Sequence, residues 1–115
     1  MYNDFIVKAK DIKGINKDYV KYKKLLEKET DLVKQLKYKR LLRELEYKKM
    51  DIDFQLLNIS ISHKAGELHK KVFIDRFINN IPADRLIDKY NVSRSTIYKI
   101  LRKAIEIFES DICCI

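Results

Sequence analysis

Apolar residues recur at spacings of three and four along the first half of the chain, beginning shortly after Lys17. This spacing predicts an amphipathic helix, because 3.6 residues per turn bring such positions onto one face. The stripe fits one long helix, or two helices with a break near Met50–Asp53. Asn16 or Asp18 can cap its start, and Gly14 precedes it as an interruption. The stripe consists of Tyr22, Leu25, Leu26, Leu32, Val33, Leu36, Tyr38, Leu41, Leu42, Leu45, Ile52 and Leu56.

Residues 17–60 are therefore expected to form a helical arm whose apolar stripe must be covered. The C-terminal part of the chain, a second copy or another protein can cover it. A coiled coil would need a seven-residue repeat with apolar residues at its two contact positions. That repeat is imperfect here, because Glu29 and either Lys39 or Lys48 fall on contact positions. A short helical hairpin and a loose coiled coil therefore both remain open. We favour an arm that forms a homodimer or binds a partner.

Three shorter helices are predicted in the second half of the chain. Residues 58–66 mix β-branched and small polar residues, which indicates a loop or a frayed helix end, with a continuous helix as the alternative. The first helix is expected from Glu67 to Asn79. Pro82 suits the first turn of the second, expected from Ala83 to Tyr90. The side chains expected to face the core are Leu68, Val72, Phe73, Phe77 and Ile78 in the first helix and Leu86, Ile87 and Tyr90 in the second.

The residues after Tyr90 have the character of a tight turn followed by a capped helix. Asn91 stands where a left-handed backbone is needed, and asparagine tolerates that conformation well. Val92 is expected to plug the turn, and Ser93 to cap the third helix. The pattern predicts a helix-turn-helix unit. The core positions of its last helix are Ile97, Ile100, Leu101, Ala104, Ile105 and Phe108.

The outward face of the third helix has the chemistry that a DNA groove requires. Between Ser93 and Lys103 every charged residue is basic, whereas Glu106, Glu109 and Asp111 come later. Arginine and lysine donate to guanine edges and phosphates, and hydroxyl side chains adapt to either. We predict that this helix enters the major groove of double-stranded DNA. The predicted contact residues are Ser93, Arg94, Ser95, Tyr98, Lys99 and Arg102, with Thr96 and Lys103 reaching backbone phosphates.

The overall charge favours a polyanionic partner. The chain of 115 residues has a formal net charge of +8, which attracts nucleic acid and releases its counterions. A helix that crosses a membrane needs about 20 consecutive apolar residues. The sequence contains no such run. The first residues carry Asp4 and lack the apolar core of a signal peptide. A cytoplasmic protein is therefore expected.

Neither catalysis nor a cofactor is expected. The chain has 2 glycines, too few for a phosphate-binding loop. No nucleophile has an adjacent base, and the aspartate pairs Asp51/Asp53 and Asp84/Asp88 suit helix surfaces or caps. The histidines lack the neighbouring carboxylate or cysteine ligands that a metal site needs, and the cysteines do not have the spacing of zinc ligands. The residues concerned are His63, His69 and the adjacent thiols Cys113 and Cys114.

The segment FIDRFINNIPADRLIDKYNVSRSTIYKILRKAI resembles region four of bacterial sigma factors. It resembles still more closely the small phage-encoded regulators of the ArpU/RinA kind, in which a Lys-rich helical segment like LLRELEYKKMDIDFQLLNIS precedes the DNA-binding part. The resemblance implies a transcription regulator of a phage or mobile element, active in a bacterial host cell. Position by position, the start of the recognition helix matches Ser93, Arg94, Ser95, Tyr98 and Lys99.

The sequence thus predicts an all-α protein with an N-terminal segment (1–16), a helical arm (17–60), a helix-turn-helix unit (61–110) and a tail (111–115). The favoured function is sequence-specific DNA binding in transcription, with the arm forming a homodimer or contacting RNA polymerase. A DNA-packaging or replication adaptor of the terminase small-subunit kind is the alternative. So is a protein-interaction module that does not bind DNA. A ring of many copies would indicate packaging, and a dimer would indicate regulation.

Overall fold

The computed structural model describes residues 6–62 and 64–110, and all the regular secondary structure in these two ranges is helical. The all-α fold class predicted from the sequence is confirmed. A 3-10 helix (Ala9–Asp11) leads into five α-helices. These are α1 (Ile12–Lys28), α2 (Leu32–Ile61), α3 (Gly66–Phe77), α4 (Ala83–Tyr90) and α5 (Arg94–Phe108).

The arm is a helical hairpin in which α1 and α2 run antiparallel. Near the closed end the rings of Tyr22 and Tyr38 lie 6.1 Å apart. Further from it the Tyr19 hydroxyl donates to Glu46 at 3.5 Å, and Lys49 lies 4.1 Å above the Tyr19 ring. The hairpin is one of the two arrangements that the stripe predicted.

The predicted break near Met50–Asp53 is wrong, because the two helices of the arm separate at residues 29–31. The Glu29 carboxylate accepts hydrogen bonds from the backbone N–H groups of Thr30 and Asp31, at 3.1 and 3.2 Å. These bonds stabilise the turn locally. The predicted break falls within α2, where burial of Ile52 in the core keeps the chain helical.

The predicted start of the arm near Lys17 is also wrong. Helix α1 begins at Ile12 and continues through Gly14. A glycine costs a helix only about 1 kcal/mol. Burial of Ile12 and Ile15 in the core outweighs that cost, since each fully buried isoleucine contributes roughly 1.5–3 kcal/mol.

The loop predicted at residues 58–66 is shorter than expected, because α2 continues to Ile61. Asn58 is buried, and its amide donates to the Ile107 carbonyl at 3.3 Å and to the Ser110 hydroxyl at 3.2 Å. Ile59 is fully buried. Both residues are therefore part of the packed helix.

The start of α3 packs closely against the end of α2. A Cβ on Gly66 would lie 2.4 Å from the backbone oxygen of Ser60, so only glycine fits this approach. The next apolar residue, Leu68, was expected to face inward, but it is 39% exposed. The core-facing side of α3 instead begins at Val72 and Phe73, which are fully buried.

One hydrophobic cluster joins the N-terminal segment, the hairpin and the last helix. Phe73 stacks against Phe108 with 4.6 Å between ring centroids, and Val7 packs into the same cluster from the N-terminal side. The core therefore crosses the boundaries predicted at residues 16 and 60. The buried members are Val7, Ala9, Ile12, Ile15, Ile52, Leu56, Ile59, Phe73, Ala104 and Phe108.

Candidate nucleic-acid interface

A second hydrophobic cluster holds α4 against α5. Leu86 of α4 and Ile97 of α5 are fully buried together with Val72 of α3. Ile100 and Leu101 complete the buried part of this cluster. Helices α3 and α4 therefore support α5 from one side and leave its other side in solvent.

The turn between α4 and α5 has the conformation that the sequence predicted. Asn91 adopts a left-handed backbone, with φ 53° and ψ 52°. The Val92 N–H donates to the carbonyl of Ile87 at 3.2 Å, which satisfies one of the free carbonyls at the end of α4. Val92 packs against the second cluster, as expected. The turn thus redirects the chain within three residues, 91–93.

Ser93 caps α5, also as predicted. Its hydroxyl oxygen accepts from the Thr96 N–H at 3.2 Å, which satisfies one of the free N–H groups of the first turn. The same hydroxyl lies 2.8 Å from the Thr96 hydroxyl and 3.1 Å from that of Ser95. Thr96 is half-buried and its hydroxyl lies in the cap, and its contact with a phosphate stays a prediction.

The other predicted contact residues are exposed on α5. Arg94, Ser95, Tyr98, Lys99 and Arg102 follow one another at helical spacing along the face that points away from the core. Lys103 is also exposed, on the flank next to this face. Ser93 lies at its N-terminal end. The structure thus brings the predicted side chains together on one surface, which we call the α5 basic face.

An acidic residue of α4 lies beside this face. The Arg94 guanidinium contacts the Asp84 carboxylate at 3.0 Å, and both side chains are largely exposed. Such surface pairs contribute about 0–1 kcal/mol. The contact therefore adds little to the stability of the fold, and it occupies the Arg94 guanidinium in the free protein.

A polar network around Asp75 joins α3 to α4 and was not among the predicted features. The Asp75 carboxylate is buried and accepts from Lys89 Nζ at 2.7 Å and from the Tyr90 hydroxyl at 2.5 Å. The Asn79 amide donates to its other oxygen at 3.0 Å. The Asp75 backbone carbonyl accepts from the N–H of Ile81 at 2.8 Å. The network fixes the angle between the two helices that support α5.

This network shifts two pKa values. Burial alone would raise the pKa of Asp75, but the hydrogen bonds from Lys89, Tyr90 and Asn79, with the positive charge of Lys89, hold it below its ordinary value. Burial and the bond to the Asp75 carboxylate raise the pKa of Tyr90 to about 12. Asp75 is therefore ionised and Tyr90 protonated at neutral pH.

A signal for the network is present in the sequence. Asp75 lies three residues after the core residue Val72, so it shares the core-facing side of α3. A carboxylate among core positions requires partners, because an unpaired buried charge is costly. The partners on α4 follow only from the tertiary structure.

The C-terminal end of α5 is anchored in the core. Gln55 is 2% exposed; its amide donates to the carbonyls of Phe108 and Val7, at 2.8 and 2.9 Å, and its oxygen accepts from the Val7 N–H at 2.9 Å. The Glu109 carboxylate accepts from the Ala9 N–H at 2.9 Å. Glu109 thus belongs to the anchored end of α5. Ser93 and the start of the basic face lie at its opposite end, about 22 Å away.

No family model, characterised protein or solved structure matches this chain. Within residues 6–62 and 64–110, no helix is both long and apolar enough to span a bilayer. The same ranges contain no group of three or more side chains placed to hold a metal ion. His63, Cys113 and Cys114 lie outside them.

Proposed function

We propose that the protein is a sequence-specific DNA-binding regulator of transcription, and that α5 enters the major groove. The single observation that carries this proposal is the α5 basic face, which begins at a serine-capped helix start directly after a tight turn. A helix supported in this way by a second helix has the dimensions and exposure needed to enter the groove. The arm is then the dimerising part of the regulator.

The roles of individual residues follow from their positions. Arg94 and Lys99 lie on the exposed side of the first two turns of α5 and donate to guanine edges. Ser95 and Tyr98 lie between them and supply hydroxyl groups for adaptable contacts. Further along α5, Arg102 and Lys103 are placed to neutralise phosphates, which position a protein on DNA without reading its sequence.

The charge of the whole molecule supports the same partner. The net charge of +8 produces a long-range attraction to DNA, and each phosphate that is neutralised releases condensed counterions. Affinity should therefore fall steeply with salt concentration. Specificity should depend on Arg94 and Lys99 in particular.

Fluorescence anisotropy with labelled duplex DNA tests the proposal. Duplexes of random sequence and from upstream of the protein's own gene would be titrated across a salt series. The variants are an Arg94→Ala/Lys99→Ala double substitution and, as a matched control, Lys13→Ala/Lys17→Ala, which removes the same charge from exposed positions of α1. Circular dichroism would establish that both remain helical.

We expect tighter binding to the upstream duplex, and a loss of about 30-fold or more in the α5 variant, since a good base contact contributes about 1–3 kcal/mol. The slope of log affinity against log salt should decrease by roughly 2 if both side chains touch DNA. The α1 control should retain the preference for the upstream duplex. Binding that is absent at low salt, or equally weakened in both variants, would contradict groove recognition by α5 and point to a protein partner.

A further inference from the structure

Helix α2 carries a second apolar stripe that stays exposed to solvent within residues 6–62 and 64–110. It consists of seven large side chains that are each 50–73% exposed, and we call it the α2 outer seam. Its members are Val33, Leu36, Tyr47, Met50, Phe54, Leu57 and Ile61.

The outer seam lies on the opposite side of α2 from the core. The core-facing residues of α2 include Leu42, Ile52, Leu56 and Ile59. Phe54 follows Ile52 by two positions, which is about 200° around a helix of 3.6 residues per turn. Neither α1 nor the C-terminal helices reach this side.

The spacing of the outer seam is that of a coiled coil. Tyr47, Met50, Phe54, Leu57 and Ile61 alternate steps of three and four residues without interruption. An average step of 3.5 keeps such a stripe facing a second helix along its length. Continued towards the N-terminus, the same steps pass through two arginines, Arg43 and Arg40, to Leu36 and Val33.

The size of the outer seam matches the interface of a stable dimer. Burying a side chain of this size removes about 100 Å² of apolar surface, so the seam amounts to roughly 700 Å² per chain. A standard interface buries about 800 Å² on each partner. Apolar patches larger than a few hundred Å² are rare on monomers.

The charges along α2 decide how two copies would be oriented. All charged residues of 32–43 are basic, namely Lys34, Lys37, Lys39, Arg40 and Arg43. Residues 44–61 carry four acidic residues (Glu44, Glu46, Asp51 and Asp53) against two lysines (Lys48 and Lys49). A parallel pair would align the basic halves with each other. An antiparallel pair aligns each basic half with the acidic half of the other copy, as complementary interfaces require.

We propose that α2 pairs with α2 of a second copy of this chain in an antiparallel coiled coil, with Tyr47 near the two-fold axis. Val33 and Leu36 then pack against the region of Leu57 in the other copy. Arg40 and Arg43 lie near Asp51 and Asp53 of that copy. The pairing is independent of DNA binding, because the α5 basic face lies on a different helix.

Sedimentation equilibrium of the full chain without DNA tests the pairing. Met50→Glu/Leu57→Glu places four carboxylates in the dimer interface and should raise the dimer dissociation constant at least 100-fold. The control is Val20→Glu, at an exposed apolar position of α1 outside the seam; it should leave the dissociation constant within about threefold of the parent. Circular dichroism should show unchanged helicity in both, since all three side chains are exposed.

Disulfide formation tests the orientation, in a background carrying Cys113→Ser and Cys114→Ser. Val33→Cys and Leu57→Cys would be oxidised separately and as an equimolar mixture. The antiparallel pair predicts cross-linked dimers mainly in the mixture, whereas a parallel pair would cross-link each variant with itself.

A monomer at 100 µM, a ring of many copies, or self-cross-linking of each single variant would overturn the proposal. These outcomes do not depend on DNA affinity. Failure of the dimer and failure of DNA recognition are therefore seen in separate experiments.

Discussion

Replacing Asp75 with asparagine removes the charge at the centre of the network between α3 and α4 while keeping the size of the side chain. Three donors converge on the Asp75 carboxylate, from Lys89, Tyr90 and Asn79. An asparagine at this position offers one acceptor oxygen, and its NH₂ group is itself a donor. At least one of the three donors must therefore lose its acceptor.

The size of the effect follows from the burial of each partner. Hydrogen bonds to a charged group contribute about 1.5–3 kcal/mol each. Lys89 is 52% exposed, whereas the Asp75 side chain is 8% exposed, so water compensates much of the loss at the lysine. We expect Asp75→Asn to lower the free energy of unfolding by about 2 kcal/mol at pH 7.

The pH dependence gives a second, independent expectation. Because the folded-state pKa of Asp75 lies below its ordinary value of 3.8, its ionised form favours folding. That contribution is present above pH 3.8 and is lost as the pH falls through the folded-state pKa. The stability difference between parent and variant should therefore shrink below about pH 4.

Urea unfolding followed by circular dichroism, at pH 7 and at a series of lower pH values, measures both quantities. Asp88→Asn is the matched control, since Asp88 is an exposed aspartate on α4; it should change stability by less than about 0.5 kcal/mol. Tyr90→Phe and the double variant with Asp75→Asn complete a double-mutant cycle that isolates the Asp75–Tyr90 bond. If Asp75→Asn is as stable as the Asp88 control at pH 7, the network does not hold α4 in place and our reasoning is refuted.

Three further substitutions test the packing and the basic face. Gly66→Ala should lower the free energy of unfolding, measured with urea, by about 1–3 kcal/mol, because the new Cβ would lie 2.4 Å from the backbone oxygen of Ser60. Gly14→Ala should instead raise it by about 0.5–1 kcal/mol, because no atom lies within 4 Å of its new Cβ. Equal effects of the two substitutions would contradict this account. Asp84→Asn should tighten DNA binding a fewfold in the anisotropy assay, since it removes a negative charge and the 3.0 Å contact that occupies Arg94; weaker binding would show that Asp84 positions Arg94 for DNA.

Local sequence rules placed α4, the turn after it and the start of α5 well, because the determinants of these elements are local. Ala83–Tyr90 is the predicted second helix, since Pro82 favours a helix start and the apolar spacing is short and regular. Asn91 and Ser93 act within a few residues of themselves, one through its own backbone and the other through the Thr96 N–H. Such features require no knowledge of distant parts of the chain.

The same rules misplaced the boundaries of the arm, because distant contacts outweigh local preference there. Gly14 looked like an interruption, yet burial of Ile12 and Ile15 keeps α1 helical. Asn58 looked like a loop residue, but its amide finds the Ile107 carbonyl 49 positions away. Helix propensity differs by about 1 kcal/mol per residue at most, proline excepted, and tertiary burial exceeds that.

The sequence by itself determined that the chain is helical, where its final turn and cap lie, and which basic side chains share one helical face. Only the tertiary structure decided that α1 and α2 fold as a hairpin, that Asp75 joins α3 to α4, and that the seam from Val33 to Ile61 faces away from the core. The physical reason is the range of the interactions. Caps, turns and helical spacing act over one or two turns, whereas the division of the apolar stripe between core and surface depends on residues far apart in the chain.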